Sequence, residues 1–166
     1  MEIAATGLFR AKWTSRIHNE WIIALSRNRP ELVGKLERTR ALMDAAILDC
    51  IVEGYEDFIP SIECPDPNDR HVIAAAIKAD CSQLVTANLK HFPAGLVSKY
   101  GIEAIHSDDF VLLQFGRDQA TVMAAARRCR LRLRAPAKSV EDYLQTLEIQ
   151  GLRKTAAKLA KQPSVL

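Results

Sequence analysis

The chain has 166 residues, 48% of them hydrophobic and 26% charged, with a formal net charge of +3. That suits one soluble domain with a real core, shows no low-complexity segment or repeat, and is too mildly basic to argue for nucleic acid by itself. Cys50, Cys64, Cys81 and Cys129 form no C-x-x-C pair and have no histidine at zinc-site spacing, which predicts buried, reduced thiols. No apolar run approaches the roughly 20 residues needed to cross a bilayer. The start, M-E-I-A-A-T-G-L-F-R, lacks a basic-then-apolar signal. The expectation is a cytoplasmic protein with no membrane partner.

Residues 1–6 read as the end of a helix stopped by Gly7, and residues 8–13 as a short strand. Thr14 is an N-cap for the helix that carries Ile17, Trp21 and Leu25 on one face, bordered by Ala24. Glu20 sits at the edge of that face. It is either a boundary residue paired with Arg16 or Arg27, or a functional acid. Arg29-Pro30 breaks the helix. Residues 31–46 predict a second helix with Leu32, Leu36, Ala41, Leu42 and Ala45 inward. Residues 49–55, D-C-I-V-E-G-Y, predict a strand. Residues 58–67, with three prolines, predict a loop.

The stretch from Cys64 to Asn88 is the most informative. Asp66 is an N-cap, Pro67 suits the first helical position, and Asp69 follows at N3. The helix runs to about residue 79. Residues 82–86 predict a strand without alternation, as in a central parallel strand covered on both faces. A further strand at 102–105 and a helix at 108–115 follow. Residues 119–134 form a helix with a basic end, R-R-C-R-L-R-L-R. Ser139 caps the next helix, Gly151 stops it, and a last basic helix covers 152–161.

No phosphate-binding glycine loop, nucleophile elbow or H-E-x-x-H is present. The polar candidates are Glu20, Asp66, Asp69 and Asn88, with Thr86, His71 and His91. A helix leading into a parallel strand begins at the edge where that strand ends, so Asp66 and Asp69 face the same edge as Thr86 and Asn88. Carboxylates converging there would repel one another without a hard cation such as Mg²⁺ or Mn²⁺, which suits phosphodiester hydrolysis. The two aspartates equally make an ordinary helix cap. The cluster of Arg128, Arg130 and Arg132 is either a solvated helix end or an electrostatic footprint for RNA.

H-N-E-W on a helix, then D-P-N-D-R-H-V-I-A-A-A-I-K-A, then L-V-T-A-N-L-K-H-F-P, together resemble the PIN domain family, which includes ribonuclease toxins of bacterial type II toxin–antitoxin pairs. The resemblance covers Met1 to about Phe115. It implies a three-layer α/β/α sandwich around a parallel sheet, with a PIN-like domain at 1–116 and a helical C-terminal extension at 117–166. It also implies that the family's first strand and first Asp are missing from this chain. Carried over by position, Glu20 matches the family's second acid, Asp69 the third, and Asp66 a neighbour. Asn88 falls where many members have a fourth acid, and Thr86 matches a hydroxyl residue at the strand end. The implied function is Mg²⁺- or Mn²⁺-dependent cleavage of RNA, with an antitoxin protein as partner; a homodimer is one candidate assembly, in which a second copy fills the gap left by the missing strand. The alternative is an inactive PIN-like scaffold that binds RNA or a protein without cutting.

Overall fold

In the computed structural model, which describes residues 1–166, the Thr14 hydroxyl accepts a hydrogen bond from Ile17 N–H at 3.1 Å and opens helix α1 (Ser15–Asn28). The elements fall into two units. One comprises Arg10–Leu84 and Asn88–Ala104, the other Met1–Phe9, Val85–Ala87 and Ile105–Leu166.

In the first unit, α1 is followed by a 3₁₀ turn, Pro30–Leu32, and helix α2 (Val33–Ala46). The side chain that α1 buries is His18, while Ile17, Trp21 and Leu25 are half-buried. His18 Nε2 lies 2.8 Å from Asp44 Oδ1 on α2, Trp13 Nε1 donates to the same oxygen at 2.8 Å, and Trp21 Nε1 donates to His18 Nδ1 at 2.9 Å. This network corrects the expected inward face of α2. Drawing Asp44 inward turns Ala41, Leu42 and Ala45 to solvent, while Leu36 stays buried as expected and Met43 and Ile47 join it. The spacing rule fails here because a buried polar network outranks the apolar stripe.

The strands expected at 8–13 and 49–55 shrink to one parallel bridge between Trp13 and Ile51. Trp13 N–H donates to Cys50 O at 2.9 Å and Val52 N–H to Trp13 O at 2.8 Å. Left-handed backbone at Asp49 (φ 55°) and Gly54 (φ 66°) ends the extended run on both sides.

A 3₁₀ helix, Glu56–Ser61, occupies the start of the expected loop. Asp66 Oδ1 then accepts from Asn68 N–H at 2.9 Å, capping a 3₁₀ turn, Pro67–Asp69, that runs into helix α3 (Arg70–Lys78). α3 buries His71 and the run Ile73–Ala76. It ends in a double cap, with Asp80 N–H on Ile77 O and Cys81 N–H on Ala76 O, and Asp80 in the left-handed region at φ 50°. Strand β1 (Gln83–Thr86) follows, then a 3₁₀ turn, Leu89–His91, helix α4 (Ala94–Val97) and strand β2 (Glu103–His106). β1 and β2 pair as a two-stranded parallel sheet. Leu84 is buried but Val85 is 45% exposed, so β1 is not covered on both faces as expected. The core of this unit gathers Ile62, Ile73, Leu84, Phe92, Val97 and Ile102.

The second unit is helical. α5 (Ser107–Arg117), α6 (Gln119–Arg132), α7 (Val140–Ile149) and α8 (Arg153–Leu159) enclose Phe115, Val122, Met123, Tyr143 and Leu159. Asp118 caps α6 and Ser139 caps α7 through Thr121 N–H and Asp142 N–H. Asp108 on α5 is buried and accepts from Lys154 N–H, Thr155 N–H and the Thr155 hydroxyl, at 2.8, 2.8 and 2.6 Å. The α/β class with a helical C-terminal part holds. No helix is long and apolar enough to cross a membrane.

Candidate metal centre

Residues 64–71 and 88–92, both in the first unit, build the centre. The cap at Asp66 uses one carboxylate oxygen. The turn it opens carries Asp69, and both aspartates are half-buried. Asn88 begins the turn Leu89–His91, its carbonyl accepting from His91 N–H at 3.2 Å. Phe92, next in sequence, is buried in the core. The Cys64 thiol donates to the His91 carbonyl at 3.5 Å. Burial raises the Cys64 thiol above its usual range, which keeps the proton that this contact uses. His91 is thereby held against the aspartate turn, with Nδ1 at 2.5 Å from Asp69 Oδ2.

The result is one ligand atom each from Asp66, Asp69 and His91, all within 4.8 Å of one another. Two carboxylates and an imidazole can coordinate a divalent cation, so the donor set fits the metal that the sequence implies.

Glu20 is not part of that group. Its carboxylate lies 3.3 Å from Arg16 Nε and 2.9 Å from His71 Nε2. Arg16 also donates to Asn68 O at 3.2 Å, which ties α1 to the aspartate turn. His71 is 1% exposed, its Nε2 faces the Glu20 carboxylate, and its Nδ1 has no hydrogen-bond partner. Burial lowers the His71 pKa against the opposing pull of Glu20 and Asp69. A buried imidazole paired through one nitrogen alone is a polar group without its full complement of bonds.

Of the other sequence candidates, Asn88 is exposed and starts the His91 turn. Thr86 ends β1 and belongs to the other unit. So do the arginines of α6. There Arg128 pairs with Glu2 at 3.3 Å, Arg132 pairs with the same carboxylate, and Arg130 donates to the carbonyls of Leu166 and Lys138 at 3.0 and 2.9 Å. The Trp13–Asp44–His18–Trp21 network had no signal in spacing, because Asp44 lies 31 and 26 residues from Trp13 and His18.

A family model described as PIN domain matches residues 1–90, more than half of the chain, and the chain belongs to that family. A second model, described as VapC50 C-terminal domain, matches residues 107–161. Over 61 residues the chain is 46% identical to a protein of Mycobacterium tuberculosis named "Putative ribonuclease VapC50". The alignment covers 37% of this chain and 36% of that protein, so the matched part spans about a third of the relative's length. No solved structure matches the chain.

Proposed function

We propose that the chain is a divalent-metal-dependent endoribonuclease of the toxin type, acting on RNA in the cytoplasm and paired with an antitoxin protein. The observation that carries this reading is the convergence of Asp66, Asp69 and His91 ligand atoms within 4.8 Å in a PIN-family chain. Asp66 and Asp69 would hold Mg²⁺ or Mn²⁺. When bound, the cation would neutralise charge developing on a phosphodiester and acidify a water molecule.

The chain's own residues supply the rest. Arg16 bridges α1 and the aspartate turn, holding Glu20 beside it. Glu20, through His71 and Arg16, would orient and accept a proton at its carboxylate. The Asn88 side chain and the Thr86 hydroxyl would offer hydrogen bonds to RNA phosphates. Arg128, Arg130 and Arg132 would add a salt-sensitive attraction.

Cleavage of an RNA oligonucleotide with Mn²⁺ or Mg²⁺ tests the reading. It should vanish in EDTA and in Asp69→Asn or Glu20→Gln. Cleavage that persists in EDTA would overturn it. A second reading, a scaffold that binds RNA or a protein without cutting, draws support from the pairing of Glu20 with Arg16 and His71 outside the metal-capable group. It predicts no metal-dependent turnover at any protein concentration.

A further inference from the structure

We infer that His91 is a nitrogen ligand of the centre at Asp66 and Asp69, and that it biases the site towards Mn²⁺ and away from Mg²⁺. The inference rests on the metal-dependent reading above and adds to it the identity of a ligand and a metal preference.

Two observations carry it. His91 is built into place rather than resting on the surface. Its carbonyl accepts from the Cys64 thiol, its N–H donates to Asn88 O, and its neighbour Phe92 is locked in the core. A free surface pair with Asp69 would need none of these anchors, and such pairs contribute little. Next, one ring nitrogen of His91 lies within 4.8 Å of an Asp66 carboxylate oxygen, and Nδ1 is the one at 2.5 Å from Asp69 Oδ2. As a ligand it would present its lone pair there and keep its proton on Nε2.

The preference follows from ligand chemistry. Mg²⁺ favours oxygen donors in near-ideal octahedra and gives up water reluctantly. Imidazole suits transition-metal ions better, and affinities for such sites rise from Mn²⁺ onward along the first row.

Pulsed electron paramagnetic resonance of the full chain with Mn²⁺ alone reads the ligand directly. The wild type should give ¹⁴N modulation from a coordinated nitrogen. His91→Gln should abolish it, and His71→Gln should retain it. The Mn²⁺ dissociation constant, read from the free six-line signal, should rise about 10-fold or more in His91→Gln, since even outer-shell partners carry that much. Mg²⁺ affinity, by competition, should change less than about threefold, because an oxygen or water replaces nitrogen without loss for that ion. His91→Asp should restore tight binding without ¹⁴N modulation and shift preference towards Mg²⁺. Mn²⁺ binding without ¹⁴N modulation in the wild type, alongside metal-dependent cleavage, overturns the inference and leaves the nuclease reading standing. An equal loss of Mn²⁺ and Mg²⁺ affinity in His91→Gln overturns the preference. No Mn²⁺ binding at all overturns both.

Discussion

His71 Nε2 lies 2.9 Å from Glu20 Oε1, while Nδ1 of the buried imidazole has no hydrogen-bond partner. Leaving a buried polar atom unsatisfied costs about 1–3 kcal/mol, and an apolar replacement of similar shape can be neutral or stabilising. His71→Leu should therefore leave the melting temperature unchanged or raise it, while RNA cleavage falls. Calorimetry beside a cleavage assay checks both halves. A clear drop in melting temperature would mean that His71 is an ordinary structural residue.

Asp108 is the opposite case. Burial raises its pKa, but the Thr155 hydroxyl, the N–H groups of Lys154 and Thr155 and the Lys154 charge together bring it below the ordinary value of 3.8. A folded-state pKa below the unfolded one gives stability that is full above the unfolded value and lost as pH falls through the folded one. Asp108→Ala, which leaves two N–H groups without an acceptor, should cost about 2–3 kcal/mol in urea unfolding at pH 7. The gap between variant and wild type should close as pH falls below about 4. A gap that is constant with pH would exclude the charged hydrogen bonds as its source.

Asp44 Oδ1 receives both Trp13 Nε1 and His18 Nε2. Asp44→Asn keeps one acceptor oxygen, so it should be milder than Asp44→Ala, which strands a buried His18 and should cost about 2–3 kcal/mol. Urea unfolding followed by tryptophan fluorescence reads the pair. Equal costs would show that packing, not the network, holds α2.

Arg128 and Arg132 share Glu2. If they contact RNA, Glu2→Gln frees both guanidinium groups and should tighten binding, while Arg128→Glu with Arg132→Glu should weaken it. The double change should also reduce the slope of log affinity against log salt by about 2. Filter binding across a salt series checks this, and unchanged slopes in both variants would remove α6 from the RNA surface.

The sequence made the elements of the centre legible because caps and punctuation are local. Thr14, Asp66, Ser139 and Gly151 act where they were expected. The strands at 8–13 and 49–55 misled because β-rich composition does not reveal the left-handed turns at Asp49 and Gly54 that cut them short. The face of α2 misled because Asp44 is drawn in by His18 and Trp13, partners more than 25 residues away in sequence. The closing of His91 on Asp69 was equally invisible, since it depends on where Phe92 and Cys64 pack.

Isothermal titration of Mn²⁺ into the wild type and into Asp66→Asn with Asp69→Asn tests the central claim most directly. One saturable site in the wild type, absent from the doubly substituted chain, is the predicted result. Equal binding by both, or none by the wild type, would contradict a metal centre at these aspartates.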